Sequence, residues 1–342
     1  MTIKDIAAYC GVSVSTVSRV LNDHPDVSDS VRTQVLKAVE DFHYVPNASA
    51  RDLVRTPPDT IGLIAKGIGN PFFAPIIWAI ERTIKETGYT LILTQIKTDD
   101  DELKVGAELA RSKRLKGLIF LGGRFDYDRD VREMLGVPFV CCTFTNQFGT
   151  MAENAFSSVS IDDEAAAYEA VKYLIDRGHS KIAIILDDKH DHSISELRYR
   201  GYEAALREAG IAPDPTLVVE IGSFEMASAY DEMRHLIDRN QEFTAVFCIA
   251  DALALAAMKA LTDTGHSLPD DCSVIAIDGI DFSVYSTPAL TTFVQPKETL
   301  GEESVRLLIR MIEGKNGEQM TVATTLRSGG SVAGARRVPS GR

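Results

Sequence analysis

The chain is 342 residues long, which at roughly 150 residues per domain suggests two or three domains. Hydrophobic residues make up 45% and charged residues 25%, enough for a sizeable core, yet no apolar run approaches the roughly 18–20 residues of a membrane span. A net charge of −13 argues against a protein coated in nucleic acid and leaves room for a small DNA-reading module on an acidic body. The opening MTIKDIAAYC does not read as a signal peptide. The five cysteines (Cys10, Cys141, Cys142, Cys248, Cys272) form no CxxC pair and suit a reduced interior, so the expected location is the cytoplasm.

In chain order, Ile3, Ile6, Ala7 and Cys10 recur at helical spacing and stop at Gly11. Ser13 reads as the N-cap of a second short helix, Val14–Asn22. After a loop with Asp23, Pro25 and Asp26, Ser28 can cap a third helix over 29–43 with an apolar face of Val31, Val35, Leu36, Val39 and Phe42. Three short helices with a tight glycine turn between the first two make a helix-turn-helix pattern. A short stretch, Ala48–Arg55, precedes the linker Thr56-Pro57-Pro58-Asp59.

From Thr60 apolar strands alternate with amphipathic helices. Strands are expected at Ile61–Ala65, Thr90–Thr94, Gly117–Leu121, Val137–Cys142 and Val159–Ile161. Further strands fall at Ile182–Leu186, Leu217–Ile221, Ala245–Ile249 and Val274–Ile277. Helices are expected at Pro75–Thr87, Glu164–Arg177, Arg198–Ala209 and Ala252–Thr264. The fold class is therefore α/β, with parallel sheets covered on both faces, and so many strands suit two doubly wound lobes better than one wide sheet. Thr291–Val294 and Lys297–Gly314 are expected to return the chain to the first lobe. The tail from Arg327, with four bases, no acids and several glycines, is expected to fray.

The stretch Gly11–Asn22 is the most specific in the chain. A recognition helix needs small polar residues at its start to enter the major groove and apolar residues behind to hold it. Val17, Val20 and Leu21 supply the apolar face, leaving Val14, Ser15 and Arg19 outward. An outward arginine can grip a guanine through two hydrogen bonds, and serines and threonines at a helix start (Ser13, Thr16, Ser18) can hold phosphates. Charge adds nothing here: residues 1–55 hold six bases and seven acids. A three-helix bundle that binds protein is the competing reading.

These residues carry a resemblance. Thr2-Ile3-Lys4-Asp5-Ile6-Ala7, Gly11–Asn22 and Tyr44-Val45-Pro46-Asn47-Ala48-Ser49-Ala50-Arg51-Asp52-Leu53 resemble the lactose-repressor family of bacterial transcription regulators. The likeness continues through Asn70-Pro71-Phe72-Phe73, Gly178-His179-Ser180-Lys181-Ile182, Thr287-Pro288-Ala289-Leu290 and Gln295-Pro296. It implies a helix-turn-helix domain at 1–46, a hinge helix and linker at 47–59, and a two-lobed, periplasmic-binding-protein-like core. The first lobe would take 60–161 and 291–322, the second 162–290 and 323–330, with a frayed tail at 331–342. It adds Asn22, Asn47, Ala50 and Arg51 to the DNA contacts, and Leu53 as a wedge in the minor groove, where a plain linker is the alternative.

The resemblance also implies a small-molecule site between the lobes, at strand carboxyl ends. Arg198 and Asp278 match the family's ligand-gripping pair. Phe72, Phe73 and Phe224 match positions that wall the pocket, His192 matches a position that contacts ligand in some relatives, and Asp251 and Gln295 lie at further strand ends. Read from the residues alone, Asp278 fits a helix cap or a solvated loop better than a pocket. His190 and His192 with neighbouring acids lack an evident third metal ligand. Gly67-Ile68-Gly69 lacks both the third glycine, replaced by Phe72, and an acid after Thr94 for a ribose, so a dinucleotide site is not expected. With no Walker or nucleophile-elbow motif, neither enzyme activity nor a cofactor is expected. The reading is a ligand-responsive DNA-binding regulator, a repressor for a sugar or sugar derivative. It would act as a homodimer on a near-palindromic operator and have no membrane partner. The alternatives are a sugar-binding protein of the same core without a DNA role, or a nucleobase-type regulator that needs its ligand to bind DNA.

Overall fold

The computed structural model describes residues 2–21, 24–42, 59–67 and 69–335. It divides into two compact units, residues 1–58 and 59–342.

The first unit is built from helices α1 (Ile3–Cys10), α2 (Val14–Leu21) and α3 (Asp29–Asp41). Thr2 caps α1 reciprocally: its backbone N–H donates to Asp5 Oδ2 at 2.7 Å and its hydroxyl accepts from the Asp5 amide at 3.4 Å. Gly11 ends the helix in the left-handed region at φ 64°, which lets the chain turn at once into α2. Ile6, Ala7, Cys10, Val17, Val20, Val35 and Ala38 form the buried core, and Gln34 Nε2 ties α3 to α1 through the Cys10 carbonyl at 3.3 Å.

The second unit holds two six-stranded sheets. The first contains β1 (Thr60–Lys66), β2 (Thr90–Ile96), β3 (Gly117–Leu121), β4 (Phe139–Cys142), β5 (Ser157–Ser160) and β11 (Gln319–Thr321) in the order β2-β1-β3-β4-β5-β11. The second repeats this plan with β6 (Ile182–Leu186), β7 (Val218–Glu220), β8 (Ala245–Cys248), β9 (Ser273–Asp278), β10 (Thr291–Val294) and β12 (Thr325–Arg327), in the order β7-β6-β8-β9-β10-β12. All pairings are parallel except β10 with β12. Central strands are buried along their whole length, as a sheet covered on both faces requires. Strand order reverses beside β1 and beside β6, so each lobe opens a crevice at its strand carboxyl ends.

Helices α4 (Phe73–Lys85), α5 (Glu102–Lys113), α6 (Val131–Leu135) and α11 (Lys297–Ile312) belong to the first lobe. Helices α7 (Asp163–Ile175), α8 (Ile194–Glu208), α9 (Met226–Asp238) and α10 (Asp251–Asp263) belong to the second. Gly201 of α8 is required by packing: a Cβ there would lie 2.2 Å from the Glu164 carbonyl oxygen of α7.

Two expectations are corrected. Thr291–Val294 does not return to the first lobe, because it pairs in register with β9 from Thr291 opposite Ile275 to Val294 opposite Asp278. The chain crosses only after it, at Gln295-Pro296, and α11 makes the return. The tail does not fray at Arg327, because β12 pairs with β10 and residues 331–335 strap the second lobe. There the Ser331 carbonyl accepts from the Val274 amide at 2.8 Å and its hydroxyl donates to Val274 O at 2.6 Å. Ala333 N–H donates to Ser273 Oγ at 3.0 Å and Ala335 N–H to Arg177 O at 2.9 Å. Backbone groups at the start of β9 need partners, and this segment supplies them.

Candidate functional site

In the helical unit, Ser13 Oγ accepts the Thr16 amide at 3.1 Å and sits 2.7 Å from Ser15 Oγ and 2.8 Å from Thr16 Oγ1, as its capping role predicts. Val17 and Val20 face the core, while Val14, Ser15 and Arg19 are exposed and Ser18 is half-buried. α2 thus presents a polar face with one cation at its far end. Asn22, Asn47, Ala50, Arg51 and Leu53 lie outside the described residues.

In the core, a cavity of about 700 Å³ opens where the carboxyl ends of both sheets face each other. Phe72 and Phe73 wall it from the first lobe, their rings 5.9 Å apart, and Phe224 from the second. Asn70 shapes the turn before α4, its side chain accepting the Phe72 amide at 3.0 Å and its carbonyl the Phe73 amide at 3.1 Å.

Arg198, Asp278 and Gln295 converge on the second-lobe wall. Arg198 stands one turn inside α8, not at its start, because Ser193 caps the helix by accepting the Ser195 amide at 3.0 Å. Its side chain is 3% exposed and its guanidinium is gripped by Asp163, with Nε at 2.9 Å and Nη2 at 2.7 Å from Oδ1. It also donates to the Ile249 carbonyl and lies 3.6 Å from Asp278 Oδ1. Gln295 Nε2 donates to the same Asp278 oxygen at 2.8 Å, and its amide to the Asp278 carbonyl at 3.1 Å. Burial pushes the Asp278 carboxyl up from the usual carboxylate range, against the pull of Arg198.

Three non-glycine residues of the cavity wall hold positive φ: Thr143 at 76°, His192 at 53° and Asp278 at 134°. Such backbone conformations, costliest at the β-branched Thr143, cluster at binding and catalytic sites in proteins generally. His192 lines the mouth with its ring stacked on Phe148 of the first lobe, centroids 4.8 Å apart and planes 14° from parallel.

Asp251 is a correction. It is fully buried and is not among the residues lining the cavity. Its carboxylate accepts the Ile280 amide at 2.9 Å and the Thr292 hydroxyl, so it fixes the turn that carries Asp278. An acid that opens a helix looks alike in sequence whether it faces a cavity or a neighbouring loop.

Lys66 was not anticipated. It ends β1, lines the cavity, and its Nζ lies 2.7 Å from Glu102 Oε2. Glu102, fully buried at the start of α5, also accepts from the Arg124 amide at 2.9 Å and the Tyr127 hydroxyl at 3.0 Å. A lysine directly after an apolar strand at the switch point was the available signal.

Residues 2–47 match the model of bacterial regulatory proteins of the lacI family, and residues 171–332 match a periplasmic binding protein-like domain. The HTH-type transcriptional regulator MalR of Clostridium butyricum is 41% identical over 322 residues, covering 92% of this chain and 95% of the relative. The chain belongs to the LacI family. The repressor CytR of Escherichia coli K12 is 33% identical over 92% of this chain and 91% of its own. Among solved structures, a complex of the transcriptional regulator CelR with cellobiose superposes with a TM-score of 0.71 at 30% identity, covering 97% of this chain and 99% of the other. As a member of the LacI family, the protein is a ligand-responsive, DNA-binding transcription regulator. No helix among its described residues is long and apolar enough to cross a membrane.

Proposed function

We propose that this LacI-family regulator is a sugar-responsive repressor that binds a near-palindromic operator as a homodimer in the cytoplasm. Ser13, Val14, Ser15, Thr16, Ser18 and Arg19 would meet DNA, and Phe72, Phe73, His192, Arg198, Phe224, Asp278 and Gln295 would hold the effector. The observation that carries the effector reading is Asp278: a buried acceptor at a strand end, positioned by Arg198 and Gln295 and facing aromatic walls. Polar groups that fix hydroxyls beside rings that stack on a pyranose are what a sugar needs. A solved relative at 30% identity binds cellobiose, and another at 27% has bound ribose, which supports this class.

The effector acts on DNA binding only if its affinity differs between operator-bound and free protein. The test is Asp278→Asn, which keeps shape and removes charge. Effector affinity should fall by about 1.5–3 kcal/mol, the range for hydrogen bonds to a charged group. Operator affinity without effector should stay as in wild type. Titration with and without operator then separates the modes: an inducer-driven repressor stops releasing DNA, whereas one that needs its effector stops binding. Unchanged effector affinity in the variant would remove Asp278 from the site.

A further inference from the structure

We propose that the cleft is built for an uncharged polyhydroxylated ligand and rejects the phosphorylated form of the same sugar. This rests on the sugar reading above and narrows it.

The cavity wall carries four cations and five acids. Three of the cations are already matched. Arg198 is held by Asp163 and faces Asp278. Lys66 is paired with Glu102. Arg124 makes a two-point contact with Asp126, Nε to Oδ1 at 2.9 Å and Nη2 to Oδ2 at 2.6 Å. The fourth, Lys97, is exposed on a turn that also carries Asp99 and Asp100, and Asp100 accepts its backbone amide at 2.8 Å. Just behind the wall Lys297 spends its ammonium on the Gly279 and Asp278 carbonyls, at 2.6 and 3.4 Å. At Arg198 or Lys66 a phosphate would have to displace a buried carboxylate, Asp163 or Glu102, from its cation.

Helix N-termini are the other common anion holders. Three of them border the cavity: α8 and α4 already have side-chain acceptors, and α9 opens on Glu225, an acid whose side chain makes no cap hydrogen bond. At α8, Ser193 and Asp191 close the cap, and the buried Glu196 accepts the His192 amide at 3.2 Å. At α4, Asn70 takes the Phe72 and Phe73 amides.

Apart from the exposed Lys97, the wall charges with no ion-pair partner among the described residues are acidic. Asp187 and Asp191 share the loop after β6, where burial, and for Asp187 the repulsion of Asp191 and Asp188, push their carboxyls above the usual range. A phosphate entering there meets like charge. What remains available is hydrogen-bonding capacity suited to hydroxyls. The Lys66 ammonium has one carboxylate partner and two further protons, and Ser195 Oγ is buried on the same wall without a partner among the described residues.

The experiment titrates the full-length protein with neutral mono- and disaccharides and with the 6-phosphate of each, reading heat of binding and operator release. The expected result is that, for any sugar that binds, its 6-phosphate binds weaker by on the order of tenfold or more. The double substitution Asp187→Asn with Asp191→Asn should narrow that ratio several-fold. A 6-phosphate that binds as tightly as its parent overturns the inference and leaves the sugar reading standing. A ratio unmoved by the double substitution overturns the role of that loop. If neither neutral sugars nor their phosphates bind, the sugar reading itself falls, and this inference with it.

Discussion

Arg19 and Asp278 show how one side chain serves one purpose through its surroundings. Arg19 is exposed on a helix whose opposite face, Val17 and Val20, is buried. Its side chain is therefore presented outward, where on the proposed reading it would reach a base edge. Arg19→Ala should weaken specific operator binding by about 1–3 kcal/mol and relax one base position. Gel-shift titrations on cognate and random DNA decide this, since equal losses on both would make Arg19 a phosphate contact. Asp278 is the reverse case, an acid whose charged form is disfavoured by burial. A carboxyl with a raised folded pKa binds its proton more tightly folded than unfolded, so it costs stability as pH climbs through and above its unfolded value near 3.9. Asp278→Asn should therefore flatten the loss of stability between acidic and neutral pH in ligand-free protein. A thermal-melt series that keeps the wild-type slope would count against a strained carboxylate.

At the scale of elements, the segment after β12 decides more than its composition suggests. Its glycines and bases read as a loose end, yet Ser331 and Ala333 complete the hydrogen bonding of β9. Ala333 O also accepts from His179 Nε2 at 3.0 Å, while His179 Nδ1 faces the Thr244 hydroxyl at 2.9 Å. Since a carbonyl only accepts, Nε2 carries the proton and Nδ1 receives from Thr244. Burial holds the His179 pKa below its ordinary value. The histidine thus favours the fold above pH 6.5 and withdraws that stability as pH falls through its folded pKa. A chain ending after Arg327 should lose several degrees of melting temperature, because buried β9 groups lose their partners, whereas one ending after Ala335 should melt as wild type. Equal melting of both would return this segment to the status of a frayed tail.

For the molecule as a whole, the exposed apolar side chains of the second lobe bear on assembly. The turn after β9 exposes Phe282 at 64%, Val284 at 41% and Tyr285 at 83%, and Leu326 of β12 at 41%. Arg327 joins these two segments by donating to the Ile280 carbonyl and to Ser283 Oγ. Exposed apolar side chains of this size are candidates for an interaction site. A homodimer reading a near-palindrome needs a self-complementary face. Tyr285→Asp should leave circular dichroism unchanged and weaken self-association by about tenfold or more, seen as a shift toward monomer in sedimentation. A dimer as tight as wild type would place the interface elsewhere.

Local patterns reached far in this chain. Capping by Ser13 and the turn at Gly11 follow from residues within a few positions of one another, so the helix-turn-helix was legible before any tertiary contact was known. The same holds for the strand-helix alternation, whose apolar runs coincide with the observed strands to within a few residues. Arg198 and Asp278 were reached by resemblance, since nothing in their immediate neighbours distinguishes a cavity residue from a cap. Tertiary structure decided the rest. It assigned β10 to the second sheet, because a parallel strand can join either lobe until its hydrogen-bonded neighbour is known. It turned Asp251 away from the cavity, set Lys66 against Glu102 across 36 positions of sequence, and pinned residues 331–335 to β9. In each case the deciding partner lies well beyond the reach of a local pattern, 16 positions away for β10 with β9 and 36 for Lys66 with Glu102. Periodicity reports which face of an element is buried, and only the packed chain determines what that face is buried against.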